Sequence, residues 1–388
     1  MSRIDTKYLD LLRIRYCEAS KEEKGVILDE VVKTTGYDRK YAIALLNRKR
    51  DYVKQPVRRP HKTTYASALI QPLLTLHELF DGICSKRLRA ALDVELPRLY
   101  DTKHLQISLE IYEKLMRISP ATIDRLLVGR RYKSTKSHGY TKPGTLLKHQ
   151  IPIRTWADWT EDKAGFCEMD LVDHSGGRHI PGADHAWTLC FTDVKTGWTE
   201  CVATQNKAQI HVFDAICRAR QRLPYSLLGI DSDNGSEFIN DQLYRYCLKE
   251  EITFTRGRAR KKNDGAYVEQ KNWSVVRRDV GHYRYDSPEQ LELLNRLYAV
   301  MHYYVNFFLP VMKLKEKVRL GSKTKKAYDD PLTPYARTLA CPEVSEMQKH
   351  QLRETYSVLN LVDLRRQISQ LQAQLFDSVS HASQSSGS

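Results

Sequence analysis

The sequence predicts an α/β core that is preceded by all-α units. Up to about residue 130, apolar residues recur at helical spacing between caps and glycine-containing turns. From about Thr155 onward, short apolar runs alternate with helical patterns instead. These elements follow one another as three strands and then helix, strand, helix, strand, helix. We therefore expect one sheet with helices packed against it.

Residues 1–50 predict a helix-turn-helix. Ser20 and Glu23 form a capping box at the start of one helix, and a glycine ends it. A short second helix follows, with Arg39 and Lys40 in its first turn. Such a second helix can enter the major groove, so we expect both residues to contact DNA. The alternative is a helical corner that only packs a core.

Two further helical pairs lie within residues 63–130, which we predict to be a second helical DNA-binding region. Apolar spacing and turns place their helices in the segments 73–80, 84–92, 109–116 and 120–127. Lys86 and Arg87, at the start of one helix, are predicted to contact DNA. The competing interpretation is that one or two of the three helical pairs have a structural role only.

The segment 131–154 is predicted to be a basic linker. It is rich in Gly, Ser, Thr and Pro and contains no acidic residue. It is either a solvated connection or an arm that follows the DNA backbone, and both roles are compatible. The side chains here that we expect to contact DNA are Arg130, Arg131, Lys133 and Lys136.

The composition indicates a polyanionic partner. Lys and Arg number 62 against 47 Asp and Glu, which gives a formal net charge of +15. No apolar stretch approaches the roughly 18 residues that a membrane span needs, and the N-terminus is not that of a signal peptide. The eight cysteines are scattered without a CxxC pair, which argues against a zinc site and a disulfide framework. We expect a cytoplasmic, nucleoid-associated protein that binds double-stranded DNA.

The predicted core covers residues 155–285. Its strand candidates are Gly165–Val172, Ala186–Thr192, Trp198–Ala203, Leu227–Ile230 and Ile252–Thr255. One helix is expected over Lys207–Arg222, a second through Tyr244 and Leu248, and a third around Glu269. This order is that of the ribonuclease-H-like fold. The predicted fold class is thus an α/β ribonuclease-H-like core preceded by all-α helix-turn-helix DNA-binding units.

Three elements of this core carry a carboxylate. Asp170 lies in the first strand, Asp233 follows the fourth strand on an Asn-Gly turn, and Glu269 lies on a helix. Carboxylates from separate elements can converge on a divalent cation, and Mg²⁺ prefers oxygen ligands, so phosphodiester chemistry is the leading hypothesis. Asp231 shares the strand face of Asp233 and is its closest rival. Glu168 can share the face of Asp170, although a surface role is favoured.

These residues resemble the motifs of a known family. The segments 167–170, 232–238 and 268–272 are similar to the three motifs of the DDE transposases of bacterial insertion sequences, which have a retroviral-integrase-type catalytic core. The catalytic triad and metal ligands that this resemblance implies are Asp170, Asp233 and Glu269. It also implies two Mg²⁺ ions, with Mn²⁺ able to substitute, and a homo-oligomer on DNA. The implied reaction is cleavage at transposon ends followed by 3′-OH strand transfer into target DNA.

Basic residues surround the third motif. Those that we expect to contact DNA are Lys261, Lys262, Lys271 and Arg277. Because DNA must approach negatively charged ligands, nearby positive charge offsets the repulsion. Similar transposases often carry a basic residue seven positions after the glutamate, whereas here Val276 occupies that position and Arg277 follows it.

Beyond the core, residues 286–340 are predicted to form a helical and basic extension. Residues 341–376 are predicted to form a C-terminal helix, and residues 377–388 a disordered tail rich in Ser, His and Gln. As a whole the sequence predicts a DNA transposase. Two alternatives stay open: a DNA nuclease of the same fold without strand transfer, and a DNA-binding regulator with an inactive core. The sequence also leaves open whether a helper protein takes part.

Overall fold

The computed structural model describes residues 6–47, 67–129, 163–177, 183–233, 235–257, 266–320 and 323–385. The chain divides into two compact units, one within residues 1–64 and the other within residues 65–388. None of the helices in the described part of the chain combines the length and hydrophobicity that a membrane span requires.

The N-terminal unit consists of three helices. They are α1 (Thr6–Glu18), α2 (Lys21–Thr35) and α3 (Arg39–Leu46). The predicted capping box is present, because the Glu23 amide and the Ser20 amide each donate to the other residue's side chain. Gly36 ends α2 with a φ of 70°, a conformation that glycine adopts without strain, and Asp38 caps α3. The two helices and the turn between them therefore lie where the sequence predicted them.

Residues 67–129 form four helices inside the second unit, together with the α/β core. The helices are α4 (Ile70–Leu79), α5 (Ser85–Asp101), α6 (Leu109–Met116) and α7 (Pro120–Leu127). Their buried faces share one hydrophobic cluster with the helices that follow the sheet. Arg98 lies over the ring of Tyr356 at 4.4 Å, and the Tyr304 hydroxyl donates to the Leu79 carbonyl at 2.7 Å. This region is consequently part of the core's own packing.

The core contains a mixed five-stranded sheet. Its strands are β1 (Phe166–Asp173), β2 (Trp187–Asp193), β3 (Thr199–Thr204), β4 (Gly229–Ser232) and β5 (Thr253–Arg256). Their order across the sheet is β3-β2-β1-β4-β5. β2 is antiparallel to both β1 and β3, whereas β1, β4 and β5 run parallel. The predicted order of three strands followed by alternating helices and strands is confirmed.

Helices cover both faces of the sheet. The helices of the core and the segment after it are α8 (Gln209–Gln221), α9 (Asp241–Lys249), α10 (Ala266–Lys271), a π-helical turn (Asn272–Arg277), α11 (Arg278–Val280) and α12 (Pro288–Tyr303). Leu189 and Phe191 of β2 pack in one cluster with Ile216 of α8 and Leu243 of α9. The intervening Cys190 joins the opposite cluster, which contains the π-helical turn and α12. This alternation follows from the two-residue period of a strand.

The C-terminal segment differs from the prediction in two respects. A second π-helical turn (Tyr304–Phe308) is followed by β6 (Leu314–Leu320), β7 (Lys323–Tyr328), α13 (Pro334–Ala340), α14 (Glu346–Val358) and α15 (Leu361–Ser385). The basic part of the predicted helical extension is thus an antiparallel hairpin. The single predicted C-terminal helix is two helices, and α15 continues to Ser385, past the predicted start of a disordered tail. Within this continuation, Val379 packs against the main hydrophobic cluster.

Asp279 in α11 leads to a prediction about stability. Burial raises the pKa of Asp279 to about 6, although Arg278 and Arg365 favour its charged form. Its folded pKa thus lies above the ordinary value of about 3.9, so the folded protein loses stability as pH rises from about 4 to about 6. We expect Asp279→Asn to gain up to about 3 kcal/mol over the wild type across that window. Urea unfolding of both proteins at the two ends of the window measures this gain. An equal difference between them at both pH values would contradict the prediction.

Candidate active site

Asp170 lies in β1, and Asp233 directly follows β4, the parallel neighbour of β1. β1 and β4 pair with Glu168 opposite Asp231 and Met169 opposite Ser232. If this register is continued by one residue, Asp170 comes opposite Asp233. Because neighbouring strands are about 4.8 Å apart, we infer that the two carboxylates start from adjacent backbone positions.

The turn after β4 holds the Asp233 carboxylate. The Gly235 amide donates to Asp233 Oδ1 at 2.8 Å, and a Cβ atom at Gly235 would lie 2.9 Å from that oxygen and 2.6 Å from Cδ of Glu237. Asp233 is exposed as a residue, yet the protein atoms packed around its carboxylate raise its pKa, and the Gly235 amide opposes that shift. A carboxylate so placed is fixed by the backbone and open to a ligand. Asn234, between these residues, lies outside the described part of the chain.

Asn272 contacts Asp170 and was not identified from the sequence. Its Nδ2 atom donates to Asp170 Oδ2 at 2.7 Å, while the Leu171 amide donates to Asp170 Oδ1 at 2.8 Å. The Oδ1 atom of Asn272 is buried and has no hydrogen-bond partner among the described residues. Asn272 begins the π-helical turn, three positions after Glu269. Because residues three apart lie on the same side of a helix, this spacing could have indicated from the sequence that Asn272 is near the site.

Glu269 lies in α10, and its side chain is outside the described part of the structure. The backbone of this helix is tied to β1, because the Val268 amide donates to Glu168 Oε2 at 3.0 Å. Glu168 is only 1% exposed, which corrects the surface role that the sequence favoured for it. Its position two residues before Asp170 turns it to the same sheet face, where α10 covers it.

Asp231 occupies a different environment from Asp233. It is 3% exposed, and its Oδ1 atom accepts a hydrogen bond from the Thr255 hydroxyl of β5 at 2.5 Å. Asp231 is therefore engaged within the sheet, whereas Asp233 lies at the solvent-facing end of β4. This contrast favours Asp233 over its rival as a ligand for anything that enters from solvent.

Two of the predicted DNA contacts are corrected. Lys271 is 8% exposed, and its Nζ atom donates to the Gly197 carbonyl at 3.3 Å. Burial lowers its pKa to about 8. The Arg87 guanidinium donates to the Pro310 carbonyl, and burial lowers its pKa as well. Both side chains lie on the side of their helix that packs against the rest of the protein. A run of basic residues in the sequence does not reveal which of them face inward.

Arg277 is the last residue of the π-helical turn. A π-helix bonds residue i to residue i+5, so it adds one residue to the turn relative to an α-helix. That insertion advances the helix by one position, and Val276 is fully buried while Arg277 is half-buried. The Arg277 guanidinium donates to the Asp173 carbonyl at the end of β1. Burial lowers its pKa, with Asp173 opposing the shift.

The remaining predicted DNA contacts stay predictions. Lys86 is exposed at the start of α5, and Arg39 and Lys40 are exposed at the start of α3, where Arg39 pairs with Asp29. The other six basic residues lie outside the described residues: Arg130, Arg131, Lys133, Lys136, Lys261 and Lys262.

The donor set at this sheet edge suits a hard cation. Asp170 and Asp233 offer carboxylate oxygens, the ligand type that Mg²⁺ prefers. Among the described residues no three His, Cys, Asp or Glu side chains gather closely enough to hold a metal ion. The backbone of α10, which carries Glu269, contacts β1 through the Val268 amide.

Comparison with known proteins relates the chain to a family. No protein-family model matches it. The uncharacterized protein y4rM of Sinorhizobium fredii (strain NBRC 101917 / NGR234) is 37% identical over 341 residues, which make up 87% of this chain and 95% of that protein. The chain belongs to the y4rM family. Because the match spans nearly all of the relative, most of the fold described above is shared within the y4rM family.

Several solved structures show more distant similarity. A catalytic core of HTLV-2 integrase in complex with magnesium is 13% identical, with a TM-score of 0.29, and covers 39% of this chain and 92% of that one. The catalytic core of BIV integrase is 18% identical, with a TM-score of 0.26, and covers 50% and 98%. A chain of the simian T-cell lymphotropic virus intasome is 12% identical, with a TM-score of 0.31, and covers 55% and 69%.

Proposed function

We propose that this protein is a DNA transposase that binds transposon ends and performs metal-dependent cleavage and strand transfer. The observation that supports the proposal is the parallel pairing of β1 with β4, because this register, continued by one residue, would bring Asp170 opposite Asp233. The helix that bears Glu269 contacts the same strand β1 through the hydrogen bond from Val268 to Glu168. The similarity of these three segments to DDE transposase motifs supports the same reaction. In such chemistry the nucleophile is water for cleavage and a 3′-OH for strand transfer.

Asp170, Asp233 and Glu269 would hold Mg²⁺, or Mn²⁺ in its place. When bound, such ions lower the pKa of the attacking hydroxyl and stabilise the charge that develops on the phosphate. The chain's own residues orient the ligands. Asn272 fixes one Asp170 oxygen, the Gly235 amide fixes one Asp233 oxygen, and buried Glu168 holds α10 against β1.

DNA recognition is assigned to the N-terminal unit. Exposed Arg39 and Lys40 at the start of α3 support a helix that enters the major groove. The basic linker 131–154 would add contacts to phosphates. Because two ends must be joined to one target, the active form would be a homo-oligomer on DNA.

The decisive experiment uses the full chain, Mg²⁺ and end-labelled duplexes from the DNA that flanks its own reading frame. A transposase yields 3′-nicked strands and, with a second duplex present, joined products of greater length. Nicking without joining would replace the proposal with a nuclease. Tight binding with neither product, in Mg²⁺ and in Mn²⁺, would replace it with a regulator.

Asn272→Ala tests how Asp170 is positioned. Groups that orient a metal ligand commonly contribute a factor of about 10 to 100 in metal affinity or activity. We expect nicking to fall by that factor, and the Mg²⁺ concentration for half-maximal activity to rise. Asn272→Asp should lose more, because it sets a second negative charge against Asp170 Oδ2. An unchanged Mg²⁺ dependence in Asn272→Ala would show that Asn272 has only a structural role.

A further inference from the structure

A two-stranded hairpin lies outside the site described above. β6 and β7 are antiparallel, and within the described part of the chain they pair only with each other. We call residues 314–328 the basic ribbon. An isolated two-stranded hairpin is marginally stable in water, so its stability depends on its attachment and on what it binds.

The base of the basic ribbon is firmly attached to the second unit. Asp329 pairs with Arg337 at 2.8 Å and accepts a hydrogen bond from the Lys313 amide at 2.6 Å. Lys313 Nζ in turn donates to the Lys195 carbonyl at 3.0 Å, and Arg337 donates to the Val311 carbonyl at 3.1 Å. The strands are therefore held at one end, while the described side chains between Lys315 and Tyr328 are exposed.

The charge of the basic ribbon is strongly unbalanced. Residues 315–326 include six Lys or Arg and one acidic residue, Glu316. The side chains of Lys315, Lys325 and Lys326 are exposed. Arg319 pairs with Thr324, two positions from Lys326 on the same face of the strand pair, so the like charges of Arg319 and Lys326 lie diagonally across the two strands and repel each other. Binding of a polyanion would neutralise this repulsion.

We propose that the basic ribbon is a DNA-binding arm that lies in the major groove of a duplex and contacts its phosphates. This assignment rests on the proposed function, because it names a surface for the same DNA. The major groove is about 12 Å wide and admits a two-stranded ribbon. The seven residues of β6 span about 23 Å, or roughly seven base pairs along the groove.

The sequence of the basic ribbon favours a duplex over single-stranded nucleic acid. Proteins that bind single strands stack the bases on aromatic side chains. The basic ribbon contains one aromatic residue, Tyr328, at its base beside Asp329, and residues 315–327 contain none. Lysine supplies a flexible point charge, which suits phosphate contacts that do not depend on base sequence.

The test measures binding of the full chain to two unrelated duplexes of equal length, in EDTA, across a range of salt concentrations. Each phosphate contact contributes about 0.9 to the slope of log K against log salt. The double variant Lys325→Gln/Lys326→Gln is expected to lower that slope by nearly two on both duplexes. Its affinity at about 0.1 M salt should fall at least about tenfold. The matched control, Lys249→Gln/Arg353→Gln, neutralises two exposed basic residues elsewhere and should behave as the wild type does.

The outcomes separate this proposal from the proposed function. A slope equal to that of the control would overturn the DNA-binding arm, even if the wild type nicks and joins DNA. A loss confined to one duplex would overturn the assignment to phosphates. A lowered slope on both would support the arm even if no strand is cut, because binding in EDTA needs no carboxylate site. Should the double variant unfold at a lower temperature than the wild type, Lys315→Gln/Lys325→Gln provides the same measurement.

Discussion

Asp233→Asn is expected to reduce Mg²⁺-dependent nicking by about a thousandfold or more while DNA binding persists. The substitution keeps the shape of the side chain and its acceptor oxygen for the Gly235 amide, but it removes the negative charge that a metal ion requires. A divalent ion stabilises the transition state by several kcal/mol, and about 4 kcal/mol corresponds to a thousandfold change in rate. Asp170→Asn should have a comparable effect. Single-turnover nicking with excess protein measures both.

The matched control for Asp233→Asn is Asp231→Asn. Asp231 lies two positions earlier in β4, and asparagine there can still accept the hydrogen bond from Thr255. We expect it to keep most of the nicking activity, because Asp231 is engaged inside the sheet. If the two variants lost activity equally, Asp231 would have to be included in the site. If neither lost activity, the assignment of the carboxylates would be wrong.

Gly165→Ala is expected to destabilise the second unit by about 4 kcal/mol, a large part of the roughly 5 to 15 kcal/mol by which a typical domain is stable. Gly165 has a φ of 110°, and a Cβ atom there would lie 2.4 Å from the Ser226 carbonyl oxygen. The backbone cannot move aside easily. The Gly165 amide donates to Asp193 at 2.7 Å, and its carbonyl accepts from the Leu228 amide at 2.8 Å. Chemical unfolding followed by tryptophan fluorescence measures the loss.

Gly25→Ala is the control for a glycine without such constraints. Gly25 lies inside α2, where an added Cβ atom meets nothing within 4 Å. Alanine favours a helix over glycine by about 1 kcal/mol, so this variant should be as stable as the wild type or more so. A Gly165→Ala protein that unfolds at the wild-type denaturant concentration would show that the junction before β1 can relax.

Much of the α/β core could be predicted because strands and helices leave local periodic signals. The run before Asp233 is apolar and short, and the residue pattern of β1 puts Asp170 and Glu168 on one face. The start of α2 at Ser20 and its end at Gly36 could be predicted for the same reason, since a helix cap involves only residues that are close in sequence. The π-helical turn was not predictable in this way, because only the bonding of the helix reveals its extra residue.

Which charged side chains are buried could not be predicted from the residues near them in the sequence. Lys271 and Arg87 lie in basic stretches, yet each turns inward to a carbonyl from a distant segment. Glu168 is covered by a helix about one hundred positions further along the chain. The strand pair β6 and β7 was also not predicted, since a basic run with few apolar residues suits an exposed strand pair as well as a solvated helix face.

The sequence by itself determined which residues supply the candidate chemistry: a carboxylate in one strand, another after a second strand, and a third on the helix that follows. It could do so because each lies at a fixed position relative to its own element. Only the tertiary structure decided that β1 pairs in parallel with β4, that Asn272 donates a hydrogen bond to Asp170, and that Asp231 is engaged with β5. Those facts depend on strand pairing and packing between segments far apart in the chain, which local patterns do not encode.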